Sequence, residues 1–505
     1  MKKIVYSILA SLLLISCGDF DEINLNPDTP STVVPEFLAT GIILKITARP
    51  ADKWFISDTW LMKSTSFTEH MEWYMYNKFE RANVYENYYT LFDAKKMITL
   101  VDANETMPEG EKKAYHALNH FIRGYLFYAI TMDLGDIPCS DALTGESMGT
   151  FSPKYDTQEE VFSTILNELQ LASDLFGASS KLNGDPIYKG DPVLWQRTVN
   201  SFTLRVLNML SKKQSVSGAD IKSLFEKTAS LPLIQDETES FQRVYDASKS
   251  AQWFPFYYER QNFWPYPVMT SFFVNLLKDL NDYRLFLYAE PAEELSSAPA
   301  NSFDAYSGVN PVLEYGQIQA EFTAGKHSTI NKRYHRIAQG EPSKFIAYSE
   351  LQFVLAEAAL RGWKTPLSAK EHYENGIKAA MQFTATHSPT EYTHDITIDE
   401  SYIDSYLKGK AAFNEQEGIQ QIMTQKYIAA FAQIPFNIYY DYRRTSYPKI
   451  PIDPETNMNE VKTQLPLRWM YPDSEYSQNR ENIEIALQRQ FGGTDTPNDI
   501  MWLLK

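Results

Sequence analysis

Two carboxylates, Asp133 and Asp136, bracket Gly135, and two histidines, His116 and His120, stand four residues apart; these are the spacings in the chain closest to catalytic or metal-binding ones. An acid pair that cleaves glycosides must flank its substrate at about 5 to 9.5 Å with split pKa values. Neighbours across a glycine supply neither condition, so Asp133 and Asp136 are expected to shape a helix end. The histidines lack the glutamate that follows the first histidine of a zinc protease, and no third ligand is evident, so they are expected as packed or exposed side chains and no metal site is assigned. In Tyr439 to Arg444 (YYDYRR), an arginine beside Asp441 is expected to lock a turn through a bidentate pair. No clustered Ser-His-Asp and no G-x-S-x-G pattern occurs, and the chain is read as a protein that is not an enzyme, with no catalytic residue and no cofactor. Scattered Asp and Asn leave a structural calcium open without placing one.

Binding chemistry is better represented. Aromatics reach 14%, with 32 Tyr, 29 Phe and 9 Trp, more than a core of this size requires. Two groups exceed what one buried face can use: Trp73, Tyr74 and Tyr76 with Asn77, and the run containing Trp253, Tyr257, Trp264 and Tyr266. Sugars present an apolar C–H face and a hydroxyl edge, so flat rings contribute contact while an adjacent amide pairs with hydroxyls. Rings held on a scaffold lose little entropy on binding. These eight residues are the candidate ligand platform.

The elements that must position them are helical. Ala114, Leu118, Phe121, Tyr125, Tyr128 and Met132 recur at steps of three and four and form one apolar stripe, which Gly135 and Pro138 end. Asp156 or Thr157 can cap the next helix, whose inner face is Val161, Ile165, Leu169 and Ala172, with Glu159 and Glu160 at its positive end. Residues 195–210, 350–360 and 369–381 are further helices of pairing length, with Ala356, Ala358, Ala359, Gly376, Ala379 and Ala380 where neighbours must approach closely. The expected fold is mainly α, tetratricopeptide-like helix pairs in a superhelical scaffold. Long irregular insertions are expected around 235–345, because prolines interleaved with the aromatics of 253–267 bar a continuous helix.

Residues 1–16 read as a lipoprotein signal peptide: Lys2 and Lys3 precede an apolar run of about 12 residues, short of the roughly 20 that span a bilayer. Leu14-Ile15-Ser16-Cys17 is a lipobox, which makes Cys17 the acylated residue, anchored stably only by several chains at about 0.8 kcal/mol per methylene. Residues 17–32, acidic at first and then carrying two prolines, form the lipidated tether, and 33–505 one helical domain. A formal charge of −17 repels phosphate backbones and anionic headgroups, which excludes nucleic acid and leaves the lipid as the membrane contact. Cys139 has no intrachain partner once Cys17 is acylated.

Collinear strings, FDEINLNPDTP (20–30), LGDIPCSDAL (134–143), PKYDTQEEVF (153–162), DPIYKGDPVLWQRTVNSFTLRVLNMLS (185–211), SELQFVLAEAALRGW (349–363), TQKYIAAFAQIPFNIYYDYRRTSYP (424–448) and LPLRWMYPDSEYSQNREN (465–482), resemble the SusD/RagB family, in its SusD-like branch. The acidic residues after Cys17 resemble the surface-export signal of Bacteroidetes lipoproteins. The resemblance implies a cell-surface, lipid-anchored protein of the outer membrane that binds oligosaccharide and delivers it to a TonB-dependent, SusC-like transporter, without catalysis. Some relatives carry peptides instead, and that cargo stays open, as does, more remotely, a lipid-anchored hydrolase.

Overall fold

The computed structural model describes residues 33–145, 149, 151–259, 263–434 and 436–505. The signal, Cys17 and the tether lie outside the described residues. The longer helices carry the architecture: α1 (Pro35–Ile46), α2 (Asn87–Ala103), α3 (Glu109–Leu134), α4 (Gln158–Phe176), α5 (Pro192–Met209), α6 (Tyr348–Leu360), α7 (Ala369–Thr386), α8 (Gly418–Ala429), α9 (Asn437–Thr445) and α10 (Arg480–Phe491). Sheet among the described residues is confined to short antiparallel ribbons, 65–67 with 267–269, 215–216 with 219–220 and 241–243 with 343–346.

The central helix is α3, 26 residues long, or about 39 Å at 1.5 Å per residue. Its apolar stripe is buried apart from half-buried Tyr125, and each Phe or Leu so enclosed contributes about 1.5–3 kcal/mol relative to an exposed one. Helix α4 runs antiparallel beside it, since Gln158 Nε2 donates to the Thr131 carbonyl at one end and His120 Nδ1 meets Glu168 at 2.6 Å at the other. Thr157, rather than Asp156, caps α4, in a reciprocal capping box with Glu160. Asp156 instead accepts hydrogen bonds from the backbone N–H groups of Cys139 and Ser140, holding the chain that leaves α3. Helix α3 stops at Gly135, whose φ of +95° an L side chain rarely adopts.

Helix α5 returns antiparallel to α4, with Trp195 stacked on Phe176 and Ser173 bonded to Asn200. In the later pair, α6 and α7, Gly376 lies against the Phe353 ring; a Cβ there would stand 2.7 Å from it, so the small residue is what permits the approach. One hydrophobic cluster runs through all these layers, from Ala39 to Leu503.

The segment around 235–345 is more ordered than proline and glycine content indicates. It contains helices Ser271–Leu280 and Tyr315–Thr323, the former capped by Thr270, whose hydroxyl accepts from Phe273 N–H, with Phe273, Val274 and Leu277 buried. A local cap and an i, i+1, i+4 apolar set sufficed for a helix that flanking breakers obscured. No helix among the described residues is long and apolar enough to cross a membrane.

Candidate functional site

A cleft of about 620 Å³ opens where five distant segments meet. Trp54 comes from the turn 53–56, where Asp52 accepts from its backbone N–H; Trp73 and Tyr74 come from the turn 73–76; Asp133 is the penultimate residue of α3; Phe436 precedes α9; Trp469 lies in the C-terminal loop. Tyr74 is the hub. Its ring meets Trp54 edge-on at 6.0 Å, Phe436 at 5.9 Å and Trp469 at 6.4 Å. Trp469 is fixed from behind by Phe79, stacked at 4.2 Å, and by its indole N–H donating to the Tyr74 hydroxyl at 3.1 Å. Trp54 is 45% exposed and Trp73 38%, and the Lys78 ammonium lies 3.8 Å from the centre of the Trp73 ring.

The YYDYRR helix α9 builds the underside. Arg443 donates to the carbonyls of Met132 and Leu467, and Tyr439 to that of Pro466, so one helix joins the end of α3 to the Trp469 loop. Tyr440 donates to Asp133 Oδ1 at 2.6 Å. Burial pushes the Asp133 carboxyl up to about 6, although the Tyr440 bond and Arg443 pull the other way. Asp441 pairs with Arg444 at 2.8 Å through one nitrogen within helix α9, not as the bidentate turn lock expected; both terminal nitrogens of Arg444 reach Glu357 of α6 instead.

Asp133 and Asp136 have parted roles. Asp136 accepts Gln158 N–H and pairs with Arg489 at 2.6 Å, tying α10 to the start of α4, and it does not line the cleft. Asp133 does line it, contrary to a purely turn-making role. His116 meets Asp102 at 2.9 Å and His120 meets Glu168, which Arg123 also holds. Among the described residues no group of three or more His, Cys, Asp and Glu is arranged to hold a metal ion.

A family model described as starch-binding, associating with outer membrane, matches residues 29–472. The chain belongs to the SusD-like family. Its fold is similar to that of a SusD homologue from Bacteroides fragilis, at 38% identity and a TM-score of 0.89, with 94% of this chain and 100% of that one covered. A second SusD homologue from the same species is 30% identical, with a TM-score of 0.82 and 94% and 100% covered. A chitin-binding SusD homologue from Flavobacterium johnsoniae shares the fold at 20% identity, with a TM-score of 0.71 and 93% and 98% covered. No curated protein matches the sequence.

Within this SusD-like chain the eight candidate platform residues separate. Trp73 and Tyr74 line the cleft. Tyr76 and Asn77 are buried beneath it, 4% and 3% exposed, and Tyr76 donates to the Leu313 carbonyl. Asn77 is a positioning residue: it takes a left-handed backbone, φ 56°, accepts from the Lys63 ammonium at 3.0 Å and donates to Asn457. Lys63 also donates to the Met75 carbonyl, and burial pushes its ammonium down to about 7. Replacing Asn77 by alanine is expected to cost about 2–3 kcal/mol, from the left-handed backbone and from a buried cation that loses an acceptor. Glycine there should recover about 1 kcal/mol of that loss in urea unfolding. Equal midpoints for the two variants would refute the backbone part.

Trp253, Tyr257, Trp264 and Tyr266 are half-buried and stand outside the cleft lining. Trp253 donates to the Ala247 carbonyl and meets Tyr257 edge-on at 5.1 Å; Trp264 stacks on His335 at 4.4 Å; Tyr266 meets Phe67 at 5.9 Å. Within that run Phe254 and Phe256 serve the core, packing on Phe55 at 5.2 and 5.5 Å. Trp54, Phe436 and Trp469 are not among the expected platform residues, since their neighbours in sequence, Phe55, Tyr439 and Tyr471, are buried and nothing local separates the ring that faces the cleft from the one that packs behind it.

Proposed function

We propose that the protein captures oligosaccharide in the Trp54–Trp73–Trp469 cleft and, held at the cell surface by acylated Cys17, passes it unaltered to a TonB-dependent, SusC-like transporter. The observation that carries this reading is the cleft itself, with two tryptophans exposed beside a fixed floor of rings. A sugar's C–H face covers such rings at little entropic cost, because their contacts already hold them. Membership of a family described as starch-binding at the outer membrane supports glycan as cargo. Binding without catalysis is supported by Asp136, whose pairing with Arg489 removes it from any acid pair with Asp133.

Trp73→Ala is expected to weaken oligosaccharide binding by about tenfold or more, the loss typical of a central aromatic anchor, with the melting temperature little changed because the ring is substantially exposed. Calorimetry against the best binder from a glycan array checks it. Unaltered affinity in both Trp73→Ala and Trp54→Ala would remove the cleft as the platform, and binding of peptides alone would replace the cargo. Delivery is tested by purifying the protein from intact outer membranes: a large barrel protein should accompany it, and its absence would end the transporter assignment.

A further inference from the structure

Resting on that reading of the cleft, the charges around it narrow the class of sugar. Asp133 is 9% exposed and lines the cleft together with Tyr74, Phe436 and Trp469. Its Oδ1 accepts from Tyr440, while Oδ2 accepts no hydrogen bond from any described residue. Arg443, the nearest cationic influence on it, spends its Nη atoms on two backbone carbonyls. Among the other charged groups lining the cleft, Arg81 is held by Asp473 and Asp495, and Glu72 by Lys53. Glu80, Glu86 and Asp133 then stand against Lys78, which lies over the Trp73 ring.

We propose that Asp133 is a ligand-binding carboxylate, accepting hydroxyl hydrogens of an uncharged sugar held among Trp54, Tyr74 and Trp469, and that the acidic wall turns away uronate and sulfated glycans. A carboxylate offers acceptors only, which suits sugar hydroxyls, and one oxygen already fixed by Tyr440 presets the direction of the other. An anionic sugar in the same place would bring its charge against Asp133, Glu80 and Glu86, with Lys78 the lining cation among the described residues that no carboxylate already holds. Charges set close in a shielded cleft repel far more strongly than the same charges in open solvent.

The test uses the full-length protein without its leader, probed with maltohexaose, laminarihexaose, N,N′-acetylated chitohexaose and hexagalacturonate, by calorimetry at pH 7.5. An uncharged probe is expected to bind and hexagalacturonate not to. Asp133→Asn, which keeps shape and an acceptor for Tyr440, should weaken that probe about tenfold or more, with an unchanged melting temperature. If Trp73→Ala loses affinity while Asp133→Asn retains it, the anchor is overturned and the cleft survives. Tighter binding of hexagalacturonate than of every uncharged probe overturns the sugar class. Binding indifferent to both substitutions overturns the cleft reading, and the anchor with it, as does a wild-type protein that binds none of the four.

Discussion

Glu357→Ala is expected to destabilise the fold by about 3–5 kcal/mol, the cost of stranding a buried cation. Glu357 is fully buried on α6 and collects three side chains: Arg444 through both terminal nitrogens, Arg361 at 2.7 Å and Asn208 at 2.9 Å. Its removal leaves Arg444, itself buried, with Asp441 as its carboxylate partner. Burial works against ionisation of Glu357, but Arg444 beside it wins and holds the carboxyl down to about 2, below its ordinary 4.5. The folded state therefore keeps the proton off more readily than the unfolded chain. The stability this contributes is fully present above about pH 4.5 and is lost as pH falls from there towards 2, on the order of 3 kcal/mol in all. Unfolding in urea between pH 3 and 7 should show that acid limb in the wild type and a flatter one in Glu357→Gln. A loss under about 1 kcal/mol for the alanine variant, or identical acid limbs, would show that the pair does not hold α6 to α9.

Asp185→Ala is the second large effect, again about 3–5 kcal/mol, and its origin is neutral donors instead of a cation. The side chain accepts from Ile187 N–H at 2.8 Å, Tyr188 N–H at 3.1 Å, Gly190 N–H at 2.9 Å and the Trp195 indole N–H at 2.9 Å. Each buried donor left without a partner costs about 1–3 kcal/mol, and sharing one acceptor keeps the sum below simple addition. The DPIYKGD string is thus a latch: Asp185 folds its own loop and holds Trp195, and with it the first turn of α5. Asp185→Asn, which retains one acceptor oxygen, should lose about half as much. Denaturant midpoints decide the matter, and a near-neutral alanine variant would mean that water replaces the carboxylate at those donors.

Local sequence carried the helices well because their causes are local. The stripe of α3, the Thr157–Glu160 cap of α4 and the exit at Gly135 depend on residues within a few positions of each other. Where breakers crowd a short element, as before Ser271–Leu280, the same logic failed for want of length. The family assignment was legible for a related reason: strings such as DPIYKGD, a local latch, and YYDYRR, whose side chains tie α9 to α3, α6 and the Trp469 loop, keep their order along the chain.

The cleft was only half visible. Trp73 and Tyr74 announced themselves as neighbouring rings, yet so did Trp253 to Tyr266, and sequence held nothing to tell an exposed ring from one packed on Phe55, Phe67 or His335. Asn77, an amide beside rings, looked like a sugar contact and became the cap that aims them. Asp133 looked like half of a turn and became part of a wall. What the amino-acid order determined by itself was which segments become helices and which family motifs they carry, because those follow from short-range periodicity and capping. Which rings face solvent, and which carboxylate stands among them, was decided only when positions 54, 73, 133, 436 and 469 came together. Exposure and unpaired hydrogen-bonding capacity belong to the packed arrangement, not to any one segment.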